Sequence, residues 1–424
     1  MDFSLSNSLV GNAVLGGDGL SLDLQFATDK TLAARKGPTP AFTRGSSATF
    51  VGSNGLIQSA GNDVARFDHD PVSLACNGLL IEESGTNNAT QSGAMNLWSG
   101  AGGSTRSAST TLSPDGIGFA TLATSGGLTY GGIVARSLSW LTTVTGARYT
   151  ASCFVKKDNY RYISLDFEPL RMSGPTMPFF DLDTLLFNAN GSAATGSVKA
   201  FPNGWYRIAI SGAALRVLFS GFDINLTSST GNGAGIIGAG KNIYVWGAQL
   251  EAGADATNYI PTTTASAVRS ADVCSITGAA FSGFYNQEEG SFSCVTTKPS
   301  TNSNSFIVHA SDGTFDNAID MRYNTATQAG SIMNVSNVTQ FSLASTISAS
   351  ALVKQSVGYK IDDCAYSANS GSVITDTSAS IPTTNRMVIG NSAAGGSYYL
   401  NGTVSSIRYY KKRLPNAKLQ ALTA

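Results

Sequence analysis

Charged side chains are scarce, at 13% of 424 residues, and 27 Lys plus Arg are balanced by 27 Asp plus Glu. A face that binds nucleic acid needs a cationic surplus to release counterions, and no such surplus exists. The nearest basic run, Lys411-Lys412-Arg413, reads as a solvated turn. Histidine occurs only at His69, inside DHDP beside a turn, and at His309, inside an apolar strand. Both read as structural, which leaves a Ser-His-Asp hydrolase without its base. No G-x-S-x-G elbow and no Gly-rich phosphate cradle is present. The five cysteines (Cys76, Cys153, Cys274, Cys294, Cys364) are far apart, odd in number and without C-x-x-C spacing, which excludes a disulfide framework or zinc site. Cys153 and Cys294 read as small buried hydrophobes, although Cys274 and Cys294 could approach across neighbouring strands. Reduced thiols fit folding in a cytoplasm. No stretch approaches the ~18 apolar residues of a membrane helix. The start MDFSLSNSLV lacks the cationic segment and apolar core of a secretory signal.

What is abundant points to strands. The 46 glycines, with many Ser, Thr, Ala and Asn, fit short strands and frequent turns. At this length one core is not enough, and two or three domains are expected. The organising stretch is NIYVWGAQLEAGADATNYIPTTTASAVRSADV, Asn242 to Val273. Ile243, Val245 and Gly247 are expected on one face, and Tyr244, Trp246 and Ala248 on the other. Apolar residues on both faces place this strand inside layers. Ile260-Pro261 then forces extended backbone, and the Thr/Ser/Ala run to Ala267 reads as a connector.

The run WGAQLEAG…TNYIPTT…VRSAD resembles the end of jelly-roll domains of bacteriophage virion proteins, such as tail fibres, tailspikes and head fibres. Phe42-Thr43-Arg44, Ala48-Thr49-Phe50, Gly55-Leu56-Ile57, Arg66-Phe67-Asp68 and GLLIEESGTN (Gly78 to Asn87) resemble the N-terminal signature of the same proteins. TASCFVKK, YRYISLDF and NGWYRIAISG resemble β-sandwich carbohydrate-binding modules. The ending LNGTVSSIRYYKKRLPNAKLQALTA resembles concanavalin A-like and laminin-G-like domains, with Leu414, Leu419 and Leu422 closing the core. The strands between 325 and 380 depart from that family's patterning.

The resulting expectation is an all-β chain of two antiparallel β-sandwiches. A β-rich N-terminal segment (1–89), packed with or anchoring the next domain, precedes a jelly roll (90–262), a connector (263–273) and a concanavalin A-like sandwich (274–424). An internal echo, Ile81-Glu82…Thr86-Asn87 and Leu250-Glu251…Thr257-Asn258, implies that these two segments lie together. A structural charge network of Arg44, Arg66, Glu82, Glu251 and Arg269 is expected there, fixing geometry more than adding stability.

For chemistry, paired carboxylates would be needed for glycoside hydrolysis, ~5–5.5 Å apart for retention or ~6.5–9.5 Å for inversion. Asp166/Glu168, Asp181/Asp183, Asp316/Asp320 and Glu288/Glu289 are the nearest approximations, and each reads as a solvated face or turn. No E-x-D-x-E strand and no ladder of repeated rungs is present. No cofactor is expected; Asp312 and Asp316 are weak calcium candidates, without a D-x-D-x-D-G loop. Trp205 and Trp246 read as core. Trp98 and Trp140, near loops, with Tyr398 and Tyr399, are candidates for carbohydrate contact. The expected function is attachment to a host-surface glycan by a non-enzymatic virion protein, made in the host cytoplasm. Other virion proteins would be its partners, with a homotrimer implied by analogy. A polysaccharide depolymerase and an architectural capsid decoration protein are the alternatives.

Overall fold

The computed structural model describes residues 19–424 apart from 129–131, 138–140, 168–176, 216, 218, 221, 231–236, 298–303, 349–351 and 394–397, and all counts refer to the described residues. Strands dominate, and every pairing between them is antiparallel. The helices are short: Phe26–Asp29, Gly278–Phe284 and Asn416–Ala421. The all-β expectation is met.

Two sandwiches account for most of the chain. In the first, a six-stranded sheet centred on Arg148–Lys157 and Asn242–Ala252 faces a five-stranded sheet centred on Tyr162–Phe167 and Phe222–Leu226. Cys153, Val155, Ile208 and Val245 from one sheet meet Ile163, Leu165, Phe180 and Ile224 from the other in a closed core. Alternation in these strands supplies that inner face. The second sandwich pairs an eight-stranded with a seven-stranded sheet around Phe292, Val357, Tyr366 and Tyr409 on one side and Ile276, Ile307, Met321 and Met387 on the other.

The N-terminal segment pairs with strands of the second sandwich. Leu20–Leu24 pairs with the strand Gly402–Tyr410, and Cys76–Ile81 flanks that same strand. Ala41–Thr43 pairs with Val273–Thr277 in the opposing sheet. Residues 20–81 therefore complete both layers of the second sandwich, because Leu22, Leu24, Leu79 and Ile81 are the apolar faces that close its core. The first sandwich is inserted into the second. Its two ends are held side by side by Gly85–Asn87 pairing with Ala267–Arg269, a two-stranded neck.

A register irregularity sorts the aromatic residues of the six-stranded sheet between its two faces. Strand Asn242–Ala252 carries a bulge opposite Ser152–Phe154, at Gly247, where φ is +63°. An extra residue flips the alternation, so Trp246 and Ala248 do not share a face. Ala248 enters the closed core, while Trp246 joins Phe154, Phe201 and Trp205 on the outer face of the six-stranded sheet. Glycine is required at the bulge twice over, since a Cβ would also sit 2.8 Å from Phe154 Cδ2. The outer face is covered by the hairpin Ala48–Val51/Ile57–Ala60, whose Val51 and Ile57 pack on it as a third layer. This is why Arg148–Lys157 is buried on both faces.

The insertion predicts how the chain can be cut. Residues 274–424 alone lack the strands that close both sheets and are expected to show no cooperative thermal transition. Replacing 88–266 by a short glycine-rich turn keeps residues 20–87 and is expected to retain one. Calorimetry on the two proteins checks this; a sharp transition from 274–424 alone would contradict the pairing described.

Candidate functional site

At the neck, three arginines and three carboxylates are almost fully enclosed: Arg44, Arg66, Arg269, Glu82, Glu251 and Asp272. Arg66 bridges two acids, with Nη1 donating to Glu82 Oε2 at 2.7 Å and Nη2 to Asp272 Oδ2 at 2.6 Å. Arg44 meets Asp272 Oδ1 at 3.2 Å and also donates to the carbonyls of Ser46 and Gly61. Arg269 reaches Glu82 Oε2 at 3.1 Å and the Glu83 carbonyl at 2.7 Å. Among the described residues, no arginine is paired with Glu251. It accepts from Gln249 Nε2, from Thr257 N and from Thr257 Oγ1, and so closes the turn before the connector. The echoed segments do lie together: Asn258 N donates to Glu82 Oε1, and Asn87 Oδ1 accepts from Leu250 N. Asp272, at the end of the V-R-S-A-D run, joins Arg44 to Arg66 and was not among the expected members.

Burial sets the proton affinities here, and the arginines correct it. Burial alone would raise the Glu82 carboxyl, but Arg269, Arg66 and the Asn258 N–H together hold it below its ordinary value. Glu251, with burial the larger effect, is raised despite its hydrogen bonds.

Beside the neck lies a groove of about 740 Å³, formed where the covering hairpin stops short of the sheet it covers. Its lining comes from distant pieces of chain: Asn54, Ile57 and Gln58 of the hairpin; Gly93; Asp115 and Ile117 of the turn between Thr105–Leu112 and Phe119–Thr124; and Trp246, Tyr259 and Thr262. Trp246 and Tyr259 pack against each other at 4.7 Å between ring centroids and against Phe154. With 6% and 5% of their surface exposed, they offer edges rather than faces. The Tyr259 hydroxyl shares a 2.6 Å hydrogen bond with Ser92 Oγ. Ile117 stands on the lip, 84% exposed. A floor of apolar edges with a few convergent polar groups is the ordinary make-up of a small-ligand site.

The candidates for carbohydrate contact fare differently. Trp98 is enclosed, edge-on to Phe222, with its indole N–H donating to the Thr90 carbonyl, so it is a core residue and no sugar platform. The apolar environment of the first sandwich outweighs its place near a loop. Trp140 lies outside the described residues, as does Glu168. Tyr398 packs edge-on against Phe306 and Phe315 and is half-buried. Tyr399, also half-buried, leans on the core of the second sandwich. Neither belongs to the groove's lining. The sequence pattern does not mark Trp246 as a site residue, and no single motif could, since its neighbours in the groove come from far along the chain.

Several of the carboxylates expected in pairs are engaged by other groups or enclosed. Asp181 and Asp183 are both tied to Arg161. Asp166 lies opposite Asp223, which holds Arg136. Asp320 is enclosed, and burial first of all pushes it up to about 6. His309, beneath Phe306 at 5.2 Å, is depressed by burial to about 4. Asp312 spends its carboxylate on Thr314 and Asn317, and Asp316 is exposed. Among the described residues no three metal-ligating side chains converge, and all five cysteines are free, Cys274 and Cys294 included.

The neck makes a sharp stability prediction. Asp272→Asn leaves Arg44 and Arg66 buried without their shared acid and is expected to cost about 3–5 kcal/mol in chemical denaturation. Glu82, lowered in the fold, contributes stability above its ordinary pKa of about 4.3, and that contribution is lost as pH falls toward its folded value. Glu82→Gln should therefore flatten the acid limb of the stability curve; an unchanged limb would show that the network does not govern it.

No protein-family model matches the sequence, and no curated protein does. Among solved structures, the chain is similar to the CBM40 of the Ruminococcus gnavus IT-sialidase bound to alpha2,3 sialyllactose, at 14% identity and TM-score 0.29 over 33% of this chain and 84% of that one. It is similar to a leech intramolecular trans-sialidase complexed with 2,7-anhydro-Neu5Ac, at 14% identity and TM-score 0.30 over 35% and 26% of the two chains. A Trypanosoma rangeli sialidase in complex with sialic acid is similar at 10% identity and TM-score 0.29 over 68% and 54%. Likeness at that level decides nothing about this chain's ligand.

Proposed function

We propose that this chain is a glycan-binding protein, and that the groove between the hairpin and the inserted sandwich holds the sugar. The observation that carries the reading is the composition of that groove: apolar ring edges at its floor and amide, hydroxyl and carboxylate groups around them. A saccharide presents C–H patches flanked by hydroxyls, which such a lining matches. The groove is open, so affinity per site is modest and several copies would be needed for firm attachment. The setting we favour is the surface of a bacteriophage particle, on head or tail, with other virion proteins as neighbours and a homotrimer as the assembly. That setting is supported by the resemblance of the WGAQLEAG…VRSAD stretch and has no bearing on the groove itself.

Cutting the sugar is disfavoured by the groove's chemistry. Asp115 is the one carboxylate among its described lining residues, and hydrolysis by the usual plan needs two. Nothing specific favours a depolymerase.

The test is a glycan array probed with the labelled full chain, followed by titration of hits. The double variant Asn54→Ala/Gln58→Ala removes two exposed groups on the hairpin and is expected to weaken binding roughly tenfold, about 1.4 kcal/mol, with little change in melting temperature. Binding that ignores both substitutions would move the site elsewhere. Incubation with host polysaccharide should release no new reducing ends. Labelling of intact particles with an antibody to the chain tests the virion setting separately.

A further inference from the structure

Resting on the groove as the binding site, we infer its ligand class: an uncharged saccharide that offers an acceptor to the indole N–H of Trp246, with acidic sugars selected against. Three observations lead there.

The first is an unspent donor. Trp98 donates to the Thr90 carbonyl and Trp205 to that of Leu112 at 3.0 Å. Trp246 Nε1, facing the groove, has no acceptor among the described residues, and unlike Arg66 Nε and other enclosed atoms it is not sealed from solvent. Its edge is left open by Gly93, where a Cβ would lie 3.3 Å from Nε1. A hydroxyl or an N-acetyl carbonyl of a bound sugar supplies the missing acceptor.

The second is a fixed acceptor. Asp115 Oδ1 takes hydrogen bonds from Ser113 Oγ at 2.5 Å, Ile117 N at 3.0 Å and Gly118 N at 3.2 Å. These bonds lock the carboxylate in its turn and concentrate on one oxygen, leaving Oδ2 to receive ligand hydroxyl or amide hydrogens.

The third is the sign of the charge. No Lys, Arg or His is among the described lining residues, and Asp115 is the one acidic side chain there. The Tyr259 phenol is raised, by burial first and by the charge of Asp115 as well, and stays neutral. A carboxylate on the ligand would face Asp115 with no cation to offset it. At about 6 Å, and an effective dielectric between about 20 and 80, the repulsion corresponds to roughly a threefold to hundredfold loss of affinity.

Displacement of a fluorescent neutral glycan from the full chain tests this, using matched oligosaccharides with and without a terminal sialic or uronic acid. Neutral competitors should displace the probe at least about threefold better than their acidic counterparts. The gap should narrow in high salt and in Asp115→Asn, whose side-chain oxygen can still hold the turn. Gly93→Ser, which fills space against the indole edge, should weaken neutral binding about tenfold without lowering the melting temperature. Equal or tighter displacement by the acidic partner, or a salt-independent gap that survives Asp115→Asn, would overturn the ligand class and leave the groove as a binding site. Failure of every saccharide to bind would remove the groove reading, and this inference with it.

Discussion

Arg66 is the residue on which the architecture turns. It is wholly enclosed, and its guanidinium spans Glu82, which precedes the inserted sandwich, and Asp272, which comes after it. The insertion leaves and re-enters the chain through one pair of short strands, and a two-stranded ribbon by itself would swing. A planar guanidinium bridging two carboxylates, one from each side of the neck, has a narrow range of geometries. Arg44 adds a third piece of chain by holding the other oxygen of Asp272 while donating to the carbonyl of Gly61, beside the covering hairpin. Apolar residues of the same shape could match the net stability, since desolvation offsets much of the attraction. They would not dictate direction. The network's contribution is orientation: it sets the hairpin against the outer face of the six-stranded sheet, and the groove exists because that placement is fixed.

The same constraint explains why the outer face of that sheet is aromatic. A sheet covered on one side only would carry polar residues outward. Here Phe154, Phe201 and Trp205 face outward and are buried by Val51 and Ile57 of the hairpin. Edge-to-face ring pairs are each worth ~0.5–1.5 kcal/mol beyond their burial. Phe154 makes such contacts with Phe201, Trp246 and Tyr259, so the rings that floor the groove are held from behind. A site built on packed rings loses little freedom when a ligand arrives, which matters where each contact is weak.

How much of this could be read from the chain depends on the range of the interactions. Some of the strand pattern came through, because alternation is local: TASCFVKK lies within the strand Arg148–Lys157, and most of LNGTVSSIRYY lies within Gly402–Tyr410. The clustering of Leu414, Leu419 and Leu422 was legible in the spaced leucines of the ending. Partnership was invisible, because Leu22 and Leu79 carry no mark saying that their sheet lies more than 300 residues downstream. The bulge at Gly247 was equally hidden, and with it the face on which Trp246 lies. Trp98 shows the opposite failure, in which nearness to a loop said nothing about burial. The charge echo around Glu82 and Glu251 was legible as proximity, but Asp272 was not, because an acid in a polar connector looks like any solvated residue until its two arginines are in place.

Binding and cutting make different demands on a groove, and the difference bears on how this one would be used. Hydrolysis needs two acids of opposed proton affinity on either side of one bond. Retention on a surface needs only that many shallow contacts act at once. Among the described residues the groove holds one carboxylate, already engaged in its own turn, and an indole edge that can give one hydrogen bond. Under the proposed reading, a sugar at such a site would be held weakly and released quickly, so a single copy would be a poor anchor. Copies held at a spacing that lets one glycan-coated surface engage several of them convert weak contacts into lasting attachment, by effective concentration alone. A rigid neck suits that use, since avidity is lost when the sites cannot point at one surface together.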